Sequence, residues 1–101
     1  MEQLEELRAK ILPVLLPCGV KQIALFGSVV RGEDTPGSDI DVLVKLKPRS
    51  ERPPLGLFKW IELEEELGER LSRKVDLISE EGLSPYIRPY ADREKVILYE
   101  E

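Results

Sequence analysis

The sequence contains no histidine, and in 101 residues it has one cysteine, one methionine and one tryptophan. Without histidine there is no serine–histidine nucleophile, no histidine general base and no Cys/His zinc site. Cys18 has no partner for an internal disulfide and is expected to be a small core or loop residue. No apolar run approaches the roughly 20 residues of a membrane-spanning helix, and no basic-then-apolar leader precedes a cleavage motif. A cytoplasmic location without membrane contact is expected. A basic excess is missing too, since 20 acidic against 15 basic residues leave a net charge of −5. A general nucleic-acid binder would carry the opposite balance, so direct DNA binding is not expected.

What is present is 42% hydrophobic and 35% charged, the proportions of a soluble globular chain. Its length implies one domain over residues 1–101. Leu4, Leu7, Ile11 and Leu15 recur at helical spacing from Met1 to Leu16, and Pro13 is expected to kink or end that helix early. Lys21–Phe26 reads as a buried strand. After a proline-rich loop from Lys47 to Pro54, Pro54 suits the first turn of a helix running to Leu71. Leu57, Phe58, Ile61, Leu67 and Leu71 are its expected apolar stripe, and Glu62, Glu64, Glu65 and Glu66 its wet face. Lys74–Ser79 and Lys95–Tyr99 read as further strands. Between them Ser84-Pro85 opens a short helix to about Arg93, which Pro89 would interrupt. The alternation predicts an α/β or α+β domain, a small mixed sheet with helices packed mainly on one face.

The chemistry concentrates between Ala24 and Val44. Gly27-Ser28 stops the first strand, and glycine permits a tight bend with close ligand approach. Ser28 suits the start of a short helix, whose unpaired N–H groups favour a phosphate. No Gly-Lys-Ser/Thr follows, so this is not the ATPase phosphate loop. Thr35-Pro36-Gly37-Ser38 fits a type II turn, and Asp39-Ile40-Asp41-Val42-Leu43-Val44 begins a second strand. Alternation puts Asp39 and Asp41 on one face, with α-carbons about 6.6 Å apart. Asp76 is a third carboxylate inside an apolar strand.

Strands disfavour aspartate, and two carboxylates at about 4 Å repel by about 4 kcal/mol at an effective dielectric near 20. Magnesium, which prefers hard oxygen ligands, removes that repulsion. Taken singly, Asp39 at a strand mouth, Asp41 on a solvated face and Asp76 at a sheet edge need no function. Together with the Gly-Ser bend, they read as a phosphate grip facing a metal-binding carboxylate set. Two roles are open to Arg31, a phosphate contact or an ion pair with Glu33 or Asp34. The basic run Lys45, Lys47, Arg49 and Arg52 meets triphosphate or an acidic partner, or is simply a solvated loop. Trp60 either underlies a purine or belongs to the core, and Tyr86, Tyr90 and Tyr99 carry the same ambiguity.

Gly27-Ser28, ten residues, then Asp39-x-Asp41 resembles the signature of the minimal nucleotidyltransferases, a branch of the DNA-polymerase-β-like superfamily. The resemblance extends to Phe26, Arg31-Gly32-Glu33, Ser38, Val75-Asp76-Leu77 and the closing Val96–Glu100. Val30 stands where alanine is usual, and Ser72 near where glycine often precedes the third strand. The resemblance implies the minimal nucleotidyltransferase fold, with Asp39, Asp41 and Asp76 as catalytic metal ligands. It implies Gly27, Ser28, Arg31 and Ser38 as nucleotide-binding residues, two Mg²⁺ ions, and ATP as substrate. Attack on the α-phosphorus would release pyrophosphate, and Asp76 would accept the proton of the incoming hydroxyl. Family members like this chain are antitoxins that transfer AMP to a tyrosine of a HEPN-domain ribonuclease toxin. A non-catalytic antitoxin that covers its toxin is the alternative, as is nucleotide transfer to a small molecule or RNA.

Overall fold

Val20–Phe26 and Ile40–Leu46 are rich in β-branched and leucine side chains, and they form strands β1 and β2. Two shorter strands follow, β3 (Val75–Ser79) and β4 (Val96–Glu100). In this computed structural model, which describes residues 2–27, 30 and 39–101 except the side chains of 2 and 3, the strand order is β3-β2-β1-β4. β1 is antiparallel to β2 and to β4, whereas β2 and β3 are parallel. A parallel pair needs a crossover, and the helix between them provides it. Besides three short 3-10 turns, the helices with described bounds are α1 (Glu2–Leu15), α2 (Leu57–Leu71) and α3 (Arg88–Glu94).

Alternation along the strands makes two unequal cores. Ile23, Leu25, Ile40, Val42, Val44, Val75 and Leu77 line one face, closed by Leu7, Ile11 and Leu15 of α1 and Leu63, Leu67 and Leu71 of α2. On the other face Ala24 and Leu43 lie beneath Ala91 of α3, with Phe26, Ile78 and Leu83 around them. The larger helices therefore share one face, as expected, and the fold is α+β. Asp41, Leu43, Asp76 and Ile78 alternate with main-core residues, so both aspartates point to the thinner side.

Each proline expectation is corrected by its position. α1 continues through Pro13 to Leu15. An interior proline costs about 3 kcal/mol, but Ile11, Val14 and Leu15 are buried around it, each worth about 1.5–3 kcal/mol. α2 starts at Leu57 rather than Pro54, because Gly56 serves better as its N-cap than as an interior residue. Pro89 sits in the first turn of α3, where a missing N–H costs nothing, so it begins the helix instead of interrupting it. Ser84 closes the turn just before, accepting the Ile87 and Arg88 N–H groups on its carbonyl at 3.1 and 3.0 Å and the Tyr86 N–H on its hydroxyl at 3.1 Å.

The apolar stripe of α2 is also corrected. Leu63, Leu67 and Leu71 are buried, but Leu57, Phe58 and Ile61 are 71%, 82% and 41% exposed. At 3.6 residues per turn the latter three lie more than about 100° around the helix from Leu63. Two apolar phases exist in this segment, and docking on α1 and β3 selects the one that Leu63 begins.

Candidate active site

β1 delivers the chain to Gly27, which has φ +85°. The Val30 N–H donates to the Gly27 carbonyl at 3.1 Å, so the backbone turns immediately after the strand. A side chain at Gly27 would overlap the Asp41 carboxylate. Glycine is thus required twice here, for its backbone angle and for the space that the carboxylate fills.

Asp41 pairs with Phe26 of β1 on one side and with Asp76 of β3 on the other. One ladder rung therefore carries both aspartates, side by side on one face and half-exposed. Asp39 lies just before β2, also half-exposed, with the Lys74 ammonium 3.9 Å from its Oδ2. Lys74 reaches it because the Ile40 N–H donates to the Lys74 carbonyl at 2.9 Å, which brings the two strand mouths together. That ion pair is largely in water and holds weakly. Sequence reading missed it, since only the register of β2 on β3 makes residues 39 and 74 neighbours.

The expected convergence of three carboxylates is met only in part. Among the described residues, no three His, Cys, Asp or Glu side chains gather closely enough to form a ready metal cage. Mutual repulsion of about 4 kcal/mol per pair at 4 Å favours such a splayed set. The donors nevertheless suit magnesium: they are hard oxygens, partly exposed, beside a bend stripped of side chain. Ser28, Arg31 and Ser38 lie outside the described residues, as does the Thr35–Ser38 turn.

Trp60 does not lie under a base bound at these carboxylates. It packs against the main core, behind the sheet, and its indole N–H donates to the Leu77 carbonyl at 3.1 Å. Glu64 leaves the expected wet face, accepting the Leu77 N–H on its carboxylate at 2.8 Å. Glu62, Glu65 and Glu66 stay exposed. Tyr99 also packs on the main core, whereas Tyr86 and Tyr90 are exposed. The spacing of Trp60 and Glu64, one turn apart, was the available signal for their shared role.

The basic run is distant from the carboxylates. It starts at Lys45, within β2, about 20 Å along the strand from Asp39 and about 13 Å from Asp41, and continues into the loop beyond. Lys45 pairs with Glu80 at 3.5 Å and Lys47 with Glu101 at 2.9 Å, while the Arg52 Nε–H donates to the Lys47 carbonyl at 2.8 Å. The hydrogen bond and charge of Glu101 raise the Lys47 pKa. A hollow of about 440 Å³ lined by Arg49, Arg52, Pro53, Pro54, Leu55 and Gly56 lies there. None of Asp39, Asp41 and Asp76 lines it.

Comparison with known proteins identifies the α+β fold as that of a minimal nucleotidyltransferase. A family model of the nucleotidyltransferase domain matches residues 1–98. The protein adenylyltransferase MntA of Thermococcus cleftensis is 44% identical over 78 residues, 77% of this chain and 74% of that protein. Among solved structures, a minimal nucleotidyltransferase superposes with a TM-score of 0.76 at 33% identity, covering 94% of this chain and 92% of that one. A toxin–antitoxin complex with AMP-PNP gives 0.78 at 25% identity, covering 93% and 73%. An MNT antitoxin in complex with a tri-AMPylated HEPN toxin from Shewanella oneidensis gives 0.72 at 25%, covering 100% and 74%.

Proposed function

The chain belongs to the nucleotidyltransferase domain family, and on that premise we propose that it is a protein adenylyltransferase antitoxin. It moves AMP from ATP onto a tyrosine hydroxyl of a partner HEPN-domain ribonuclease toxin and thereby silences it. The carrying observation is the rung that sets Asp41 beside Asp76, under a glycine bend whose missing side chain makes room for the Asp41 carboxylate. MntA of T. cleftensis and the AMPylated S. oneidensis complex support the choice of a protein acceptor.

Asp39, Asp41 and Asp76 would hold two Mg²⁺ ions, which when bound neutralise charge on the triphosphate and on the attacking and leaving oxygens. Gly27 and Ser28 are assigned to the β- and γ-phosphates, which backbone N–H groups at a helix start would favour. Arg31 and Ser38 are assigned to the same nucleotide. Asp76 accepts the proton of the tyrosine hydroxyl as its oxygen bonds to the α-phosphorus. The bond from that phosphorus to the β-phosphate oxygen breaks, and pyrophosphate leaves. Histidine is not needed, because positioning and charge compensation supply the rate.

The test is to incubate the protein with its toxin, Mg²⁺ and ATP labelled at the α-phosphate. Label is expected on the toxin, and a D39N/D41N variant should leave the toxin unlabelled and active. An unlabelled toxin with the native chain would overturn the proposal. If the double variant bound and neutralised the toxin, inhibition by coverage would replace it.

A further inference from the structure

Among the described strands β3 is an edge of the sheet, so one row of its backbone groups has no strand partner. The Lys74 carbonyl turns inward to the Ile40 N–H, so by two-residue alternation the groups of Leu77 turn outward. Both are nevertheless satisfied. The Leu77 N–H donates to Glu64 at 2.8 Å, and the Leu77 carbonyl accepts from the Trp60 indole at 3.1 Å. One donor and one acceptor, a single turn apart on α2, do for Leu77 what a further strand would do.

Leu77 directly follows Asp76, and that placement has a mechanistic use. A strand held only on one side can slip, and a slip of one residue would turn Asp76 to the opposite face, away from Asp41. We propose that Trp60 and Glu64 are positioning residues: they pin the register of β3 so that Asp76 stands beside Asp41. This assignment rests on the catalytic reading of Asp76. The two residues act through the Leu77 backbone, and Trp60 packs on the main core besides.

The experiment compares the full chain with W60F, E64A, E64Q and the W60F/E64A pair. W60F keeps an aromatic ring but loses the donor, and E64Q keeps an oxygen acceptor. Partners one step behind metal ligands are worth about 10–100-fold in affinity or activity. The double variant should therefore bind Mg²⁺ at least about tenfold more weakly, by calorimetry with a nonhydrolysable ATP analogue. Its kcat should fall by a similar factor, while KM for ATP stays within about twofold because the phosphate bend lies on β1. Exchange of the Leu77 amide hydrogen should quicken, and E64Q should restore most of each loss. A double variant with native Mg²⁺ affinity and native kcat, merely melting at a lower temperature, would overturn the proposal. If the native chain transfers no AMP, the function reading fails separately. Magnesium affinity and amide exchange, set beside those of D76N, still decide the clamp.

Discussion

The two ends of β1 use the same backbone device for different ends. Gly19 and Gly27 both lie at positive φ, +78° and +85°, and at each an added side chain would overlap a neighbour. At Gly19 that neighbour is the Arg52 stem, whose Nε–H is tied to the Lys47 carbonyl. At Gly27 it is the Asp41 carboxylate. A left-handed glycine against an aliphatic stem closes a loop, whereas the same glycine against a carboxylate leaves an anion exposed beside a bend. The neighbouring group, and not the glycine, separates scaffold from chemistry.

The sharpest way to break this comparison is at the carboxylates. D41N should lower AMP transfer on the order of 10²–10³-fold in the labelling assay, while the melting temperature holds or rises because a repelling charge is gone. Next come the glycines themselves. G27A and G19A should each cost about 1–2 kcal/mol from left-handed strain alone, read as a loss of about 4–8 °C in Tm per kcal/mol. Only G27A should also cut transfer at temperatures where the variant is folded. Equal activity in the two variants would erase the distinction between the ends.

A smaller effect sharpens the same point at a third left-handed position. Ser72 caps α2 at φ 55° and ψ 35°, donating its N–H to Glu69 and Gly68 carbonyls. A non-glycine residue is strained there. S72G should stabilise the fold by about 0.5–1 kcal/mol, since relief of strain exceeds the added freedom of the unfolded chain, with transfer unchanged. The smallest expected effect concerns Cys18, which is buried with its thiol toward the Val14 carbonyl. Burial raises its pKa above the ordinary thiol value, partly opposed by Lys59. The unfolded chain therefore loses that proton first as pH rises. The Cys18 contribution is intact below the unfolded pKa and declines as pH climbs toward the folded one. Thiol-reagent labelling at pH 9 should accordingly be slow in the native protein and fast in denaturant.

Much of this was legible from local pattern. The strands announce themselves by alternation and β-branching, and Asp39, Asp41 and Asp76 are conspicuous as charges where strands seldom carry them. The shared face of Asp39 and Asp41 follows from spacing alone. The neighbourhood of Asp76 does not, because it depends on how β3 docks beside β2. Glu64 was misread, and Trp60 left open between core and purine, for the same reason: helical periodicity specifies which residues share a side, not which side meets the sheet. Leu57 and Phe58 illustrate the cost, matching the pattern of a buried stripe while lying in solvent. Pro13 and Pro89 show the complement, since a helix breaker's effect is set by its distance from the helix end.

The parallel pairing of β2 with β3 has a temporal consequence. Residues 41 and 76 face one another across a gap in the chain that only the intervening helix closes, and such distant pairings form late because ends must be brought together first. A nascent polypeptide emerging in order has Gly27 and Asp41 available well before Asp76. On the proposed role of Asp76, catalytic competence should therefore arrive in one step with completion of the fold, leaving no partly assembled species able to squander nucleotide.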